Sequence, residues 1–240
     1  MANQPKYNRI LLKLSGEALL PKDSKYGIGL DVAQNIAQEI KSIHALGVQV
    51  GIVVGGGNIF RGLGPSQAGM DRSTADNMGM LATVINSLAL QDALIKAGVP
   101  TRILTSFTMH QIAEPFSQRA AMRYLGDGNA IILAGGTGNP YFTTDTAASL
   151  RALEIHADVL CKGTKVDGIY NKDPMKHADS QKFDQLTYLD ALKMKLQVMD
   201  LTAISMCMDT QLPIVVFDMF KSGNLHRVVQ GEKVGTLVIG

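Results

Sequence analysis

The chain reads as an α/β protein, a three-layer α/β/α sandwich on a mainly parallel central sheet, and three observations lead there. Strand-like and helix-like segments alternate along it. The run 48–54 is apolar at nearly every position, which suits a strand covered on both faces rather than one with a wet side. Four apolar runs end in glycine or small-residue turns: RILLKLSGEA (9–18), VGIVVGGGN (50–58), GTGNPYFTTDTAA (136–148) and DVLCKGTKVDG (158–168). Glycine bares the backbone N–H groups of such a turn, and a following helix sets its positive end behind them, which makes a phosphate seat. In a parallel sheet these turns gather at the carboxyl ends of the strands, where open α/β sheets hold their ligands. The sequence therefore predicts a protein that handles more than one phosphorylated group.

The elements follow in order. Residues 9–14 form a strand, and after a polar loop over 21–29 Asp31 is placed to cap a helix whose apolar positions Val32, Ile36, Ile40, Ile43 and Leu46 recur at helical spacing until Gly47. Strand 48–54 completes a β-α-β unit. Residues 71–96 predict a long helix, broken near Gly79. Its apolar positions Met78, Met80, Leu81, Val84, Ile85, Leu88 and Leu90 cover more than one face, so it needs two partners, one of them another subunit. Then come strand 101–105, helix 117–125 and buried strand 130–134, which runs into Gly135 and Gly136. Thr144 or Asp145 caps a helix reaching about His156. Residues 159–162 are strand-like, 166–173 a hairpin or loop, 190–196 a helix. Asp200 caps another helix through Met208, 213–217 is a strand, and 236–239 closes the sheet. With no linker, repeat or low-complexity stretch, 1–240 reads as a single domain.

Composition excludes several classes. A chain of 240 residues at 46% apolar content builds a sizeable core. Its 23 basic and 21 acidic residues give a net charge of +2, no bias toward nucleic acid or an acidic membrane. The two cysteines, Cys161 and Cys207, lie in apolar surroundings outside any C-x-x-C, which predicts buried thiols in a reducing compartment and no zinc site. The five histidines are scattered and no metal site is predicted. No apolar signal segment opens the chain and no run approaches the ~18 apolar residues of a membrane span, so a cytoplasmic protein is expected.

There is no G-x-x-x-x-G-K-[ST], no G-x-G-x-x-G after a strand and no G-x-S-x-G elbow. Phosphoryl transfer needs no protein nucleophile, only an acceptor oxygen held in line with the donor phosphate while cations neutralise the equatorial oxygens. Lys13, one residue before its strand ends and two before Ser15-Gly16, is set to reach a phosphate on that turn. Gly55, Gly56 and Gly57 remove every Cβ along a stretch of backbone, which suits close approach by a phosphate, and Arg61 adds bidentate charge pairing. Taken alone, Asp76 is a helix-surface carboxylate. Asp145 is an N-cap compatible with orienting lysines or approaching magnesium, Asp200 is a cap, and the methionines near Met78 and Met206 are packing.

At this point the motifs LLKLSGEAL, VGIVVGGGNIFRG, DRSTADNMGMLATVINSLAL, AGGTGNPYFTTDTAASLRALEI, KGTKVDGIYNKDP, LQVMDLTAIS and VVQGEKVGTLV, in this order over nearly the whole chain, resemble the bacterial uridylate (UMP) kinases of the amino acid kinase superfamily. The resemblance implies the carbamate kinase-like fold and transfer of the γ-phosphoryl group of Mg-ATP to UMP, giving UDP and ADP in pyrimidine biosynthesis. It puts ATP phosphates on Lys13, Leu14, Ser15 and Gly16, with further contacts at Gly57 and Arg61 and with Thr164, Tyr170 and Asp173 bordering the nucleotide. UMP falls to Gly56, Asp76, Thr137, Gly138, Asn139, Pro140, Tyr141, Phe142, Thr143 and Thr144. Lys13 and Lys165 stabilise the migrating group, Arg61 fixes the acceptor phosphate and Asp145 orients the lysine. A homohexamer activated by GTP and inhibited by UTP is implied as well. The loop 21–26 and the segment Cys161-Lys162-Gly163 depart from the family pattern. Two other readings share the Lys13 turn: a kinase of the same superfamily acting on carbamate, glutamate or aspartate, and a non-catalytic oxyanion-storage protein.

Overall fold

A computed structural model describes residues 4–61, 69–174, 176–177, 179–196 and 199–240. Gly62 of the GGGNIFRG motif and Gln197 and Val198 of LQVMDLTAIS lie outside the described residues. In chain order the elements are β1 (Arg9–Leu14), a one-turn 3₁₀ helix (Gly16–Leu19), α1 (Leu30–His44), β2 (Gln49–Val54), α2 (Arg72–Lys96), β3 (Thr101–Thr105), β4 (Glu114–Pro115), α3 (Gln118–Gly126) and β5 (Ala130–Ala134). There follow α4 (Thr144–Glu154), β6 (Val159–Thr164), β7 (Ile169–Tyr170), β8 (Lys182–Phe183), β9 (Gln185–Thr187), α5 (Tyr188–Lys193), α6 (Leu201–Thr210), β10 (Ile214–Asp218), α7 (Asn224–Val229) and β11 (Thr236–Ile239).

Among the described residues the main sheet has nine strands in the order β4-β3-β5-β2-β1-β6-β10-β11-β9, parallel except where β11 meets β10. The small β7–β8 ribbon stands apart. Strand side chains alternate between two cores, as the period of two demands. Ile10, Leu12, Leu14, Val50, Ile52, Val54 and Ile132 join the core under α1, α2 and α7. Leu11, Val53, Ile131 and Leu133 join the core under α3, α4, α5 and α6. The uniform apolar character of 48–54 is thus explained by burial on both faces. Cys161 and Cys207 are both buried, and loss of hydration pushes their thiols up to about 12 and about 11.

The four strands whose glycine turns stood out in the sequence, β5, β2, β1 and β6, are consecutive neighbours in the sheet and run the same way. Their turns therefore meet along one stretch of its carboxyl edge.

Several element ends differ from expectation. Gly29, not Asp31, caps α1, and Asp31 sits inside the first turn, where its charge still favours the helix N-terminus. Thr143, not Thr144 or Asp145, caps α4 by accepting from the N–H groups of Asp145 and Thr146, which frees the Asp145 carboxylate. Thr187 does the same for α5, where Asp190 had been expected to begin the helix. Helix α2 runs unbroken through Gly79, because Asp71 caps it and both flanks of the glycine are strong helix formers. β11 does not end the sheet, since β9 pairs beyond it. The expectation that nothing approaches a membrane span is also corrected. Arg72–Lys96 is the one helix among the described residues long and apolar enough to cross a bilayer, although half of its most apolar 18-residue stretch is buried inside the fold.

Candidate active site

The turn after β1 and the turn after β2 pack backbone against backbone. A Cβ on Gly16 would stand 2.5 Å from Gly57 N and 2.8 Å from Gly55 O, and one on Gly55 would stand 2.8 Å from Gly16 N. A Cβ on Gly56 would meet Gly79 O of α2 at 2.6 Å and Ala82 Cβ at 2.8 Å. Three of these four glycines are thus required by chain-to-chain contact as well as suiting the approach of a phosphate. Gly57 is the open one, faced only by the Arg61 side chain at 3.7 Å. Arg61 donates to Gly57 O at 3.2 Å and pairs with Glu17, and its side chain is 65% exposed.

Lys13 and Lys162 are register partners on the parallel strands β1 and β6, so two ammonium groups leave neighbouring strands side by side. Lys13 is buried, 7% exposed. Repulsion between the two is answered by Asp145, which reaches in from the first turn of α4, with Lys13 Nζ 2.6 Å from Oδ1 and Lys162 Nζ 2.9 Å from Oδ2. Burial pushes the Asp145 carboxyl upward, yet the two lysines outweigh it and hold it below the usual carboxylate range. For Lys162 burial wins over Asp145, and with Lys13 adding repulsion its ammonium is held below the ordinary lysine value. Both oxygens of Asp145 face lysines, so it is not set to ligate magnesium. Among the described residues no three His, Cys, Asp or Glu gather to hold a metal.

Asp200 caps α6 through the Ala203 N–H at 2.9 Å and accepts from the hydroxyls of Thr143 and Thr146, tying the start of α4 to the start of α6. Ser15 caps the 3₁₀ turn through the Glu17 N–H.

Three cavities are lined by residues of these strands and turns. One of about 220 Å³ is lined by Lys13, Ser15, Lys162, Gly163, Thr164 and Lys165. It shares Lys162 and Thr164 with a second of about 560 Å³, whose walls include Val166, Ile169, Tyr170, Asp173, Leu196 and Val216. A third, of about 140 Å³, lies against Thr143 and Thr144, next to Asp145 in the chain, and is lined by Gly56, Asp76, Thr83, Gly136, Thr137 and Phe142. Tyr141 adopts φ 72, left-handed backbone that is costly for a residue with a Cβ. Its N–H donates to Asp76 Oδ2 at 2.8 Å, and Arg72 binds the same oxygen at 2.8 Å. The carboxylate of the Asp76 pocket thus holds a strained backbone in place.

Most of the residues singled out in the sequence are brought together here. Lys13, Ser15, Thr164 and Lys165 share one cavity, Tyr170 and Asp173 the adjoining one, and Gly56, Asp76, Thr137, Phe142, Thr143 and Thr144 the third. Gly138, Asn139, Pro140 and Tyr141 form the turn between Thr137 and Phe142, where Asn139 N–H donates to Thr137 Oγ1 at 3.2 Å. The Leu14 side chain is fully buried, so only its backbone serves the turn, its carbonyl accepting from Gly55 N–H. Lys165 is exposed on the cavity wall, whereas Lys162 occupies the place beside Asp145. The sequence analysis gave Lys162 no role, yet its ammonium stands beside Asp145. The signal was present: like Lys13, it is a lysine near the end of a strand apolar enough to be buried on both faces.

Fold and site together define a class, the α/β phosphotransferases that hold anionic groups on glycine turns and lysines at the carboxyl edge of a parallel sheet. The chain belongs to the amino acid kinase family, whose profile matches residues 8–218. Among solved structures it is similar to a UMP kinase from Bacillus anthracis, with 38% identity and a TM-score of 0.93 over 97% of this chain and 96% of that one. A UMP kinase from Ureaplasma parvum matches at 35% identity and 0.90 over 98% and 100%. A uridylate kinase from Archaeoglobus fulgidus matches at 26% identity and 0.73 over 95% and 99%.

Proposed function

We propose that this chain transfers the γ-phosphoryl group of ATP to the phosphate of UMP, giving UDP and ADP. The observation that carries the proposal is the Lys13–Asp145–Lys162 arrangement, with Lys162 lining a nucleotide-sized cavity and the Asp76 pocket lined by Thr143 and Thr144 at the start of the helix that carries Asp145. The similarity to UMP kinases over nearly full length supports the choice of acceptor.

A phosphate oxygen of UMP attacks the γ-phosphorus while the bond from that phosphorus to the β-bridging oxygen breaks, and ADP leaves with the electron pair. No protein nucleophile is needed. Lys13, Lys162 and the amides of Ser15 and Gly16 hold negative charge on the transferring and leaving groups. Gly56, Gly57 and Arg61 seat the acceptor phosphate, Arg61 exchanging Glu17 for it. Asp145 keeps two ammonium groups close together and aimed. Asp76 receives the ribose hydroxyls, and Thr137 through Thr144 form the wall for uracil, with Thr164, Tyr170 and Asp173 bordering the ATP nucleotide. Magnesium enters on the ATP phosphates as part of the substrate, because Asp145 and Asp200 are already engaged and no other carboxylates converge among the described residues.

The whole chain acts as one domain. We propose that it works in the cytoplasm in pyrimidine nucleotide synthesis, apart from membrane and nucleic acid, as a homohexamer. The apolar stripe on the outer face of α2, formed by Met78, Leu81, Ile85, Leu88 and Ile95, supports self-association. Activation by GTP and inhibition by UTP rest on the resemblance alone. The acceptor assignment is tested by ADP formation with UMP, CMP, AMP and dUMP in turn. UMP is expected to be strongly preferred, since a mispaired cytosine leaves buried polar groups unsatisfied. A preference for CMP would refute the base assignment.

A further inference from the structure

Helix α2 carries buried polar side chains that the transfer step leaves unused. Thr83, Asn86 and Ser87 are 2%, 0% and 0% exposed. Buried polar groups persist when their hydrogen bonds are met, and a fully satisfied network fixes the position of whatever it joins. Here it joins the helix to two glycine turns. Asn86 Nδ2 donates to Gly55 O at 2.7 Å and to Asn58 Oδ1 at 2.6 Å, and Asn58 Nδ2 returns a bond to Asn86 Oδ1 at 3.0 Å. Asn58 is itself 1% exposed, so this reciprocal amide pair is sealed from water.

One turn earlier on the same helix, Thr83 Oγ1 donates to Met80 O at 2.7 Å, which commits its hydrogen, and accepts from Gly135 N at 2.9 Å. Gly135 and Gly136 both adopt positive φ, at 81 and 60. On the far side of that turn Gly136 O accepts from Ser106 Oγ at 2.8 Å, which in turn accepts from Arg151 Nη2 at 2.8 Å. The turn after β5 is therefore gripped at Gly135 and at Gly136, and α2 provides the first grip.

We propose that Thr83 and the Asn58–Asn86 pair are positioning residues: they fasten the turn after β2 and the turn after β5 to one helix, and so fix the distance between the two glycine walls of the Asp76 pocket. Gly56 and Gly136 line that pocket from opposite turns, and α2 is the element both turns bond to. The inference rests on the reading of this pocket as the acceptor seat. It adds that acceptor geometry is set from α2 rather than by the loops themselves.

Thr83→Val keeps the shape and removes the acceptor for Gly135 N–H, while Thr83→Ser keeps the hydroxyl. In the unliganded full chain, amide hydrogen exchange at Gly135 is expected to quicken about tenfold in Thr83→Val and to return to the unaltered rate in Thr83→Ser. In kinetics, Thr83→Val is expected to raise KM for UMP about tenfold and lower kcat, with KM for ATP within about twofold, and Thr83→Ser to restore both. Unchanged Gly135 exchange in a folded Thr83→Val, or equal rises in both KM values, overturns the proposal. Should Thr83→Val not fold, Asn86→Asp replaces it: the donor to Gly55 O is lost, and exchange at Gly55, whose N–H donates to Leu14 O, is expected to quicken, unchanged exchange being contrary. An unaltered chain inactive toward UMP would refute the acceptor reading, and the Gly135 exchange would still decide the positioning claim.

Discussion

At Lys162 burial, repulsion and attraction meet in one side chain, and the balance has a measurable sign. Its folded value lies below the ordinary 10.5, so the proton is lost earlier than from a free lysine as pH rises. The phosphoryl-transfer rate is therefore expected to fall on an alkaline limb centred below that value, and pH–rate profiles check it; a limb at or above it would contradict the assignment. For stability the sign is opposite. Between the folded and unfolded values the unfolded chain binds more protons, so this group adds stability as pH climbs through that window. Removing one preorganised charge of this kind costs about a hundredfold in rate or more, the magnitude expected for Lys162→Met. Lys165→Met should cost less than about tenfold, since that ammonium does not touch Asp145 and stands in water, where charges are screened. Equal losses in the two variants would return Lys165 to the role the sequence suggested. Lys13 was legible because a lysine flanked by LL and LSG has no route to solvent. For Lys162 the strand-end cue was present too, but its place beside Lys13 follows only from the β1–β6 register, and register is a fact of the sheet.

The glycine turns show where element-level reading succeeds and where its reasons fail. Strands, helices and the β-α-β start followed from periodicity, and β1, β3, β5 and β11 match their expected bounds residue for residue. The short β4 and β9 and the helix α7 were not foreseen, since two or three residues carry no period and α7 spans only Asn224–Val229. The caps of α1 and α4 and the start of α5 were misplaced by one or two residues, because glycine, threonine and aspartate are all favoured at helix starts. GGG was taken to suit the approach of a phosphate, and Gly55 and Gly56 also pack closely against Gly16 and α2. Gly56→Ala is accordingly expected to cost about 1–3 kcal/mol by overpacking against Gly79 O and Ala82. Gly57→Ala, facing open space and Arg61, should stay within about 0.5 kcal/mol of the unaltered chain. Urea unfolding midpoints compare them, and equal losses would place the constraint elsewhere.

Across the whole molecule one helix presents two faces. Its inner face holds the walls of a pocket, and its outer face shows Met78, Leu81, Ile85, Leu88 and Ile95 at alternating three- and four-residue steps with a gap at Asp92. That this helix is apolar on more than one face was legible in the sequence, but which positions face outward was not, since Met80, Val84 and Leu90 turned out buried. Ile85→Asp is expected to yield a smaller species by light scattering with its helical content intact, and an unchanged mass would exclude α2 as the contact. The central claim is that donor and acceptor phosphates meet at the lysines bridged by Asp145. A crystal structure with UMP and a non-hydrolysable ATP analogue tests it most directly. The attacking oxygen is expected about 3–3.5 Å from the γ-phosphorus, with Lys13 and Lys162 in contact with the phosphates. Nucleotides on opposite edges of the sheet, or phosphates out of reach of both lysines, would contradict it.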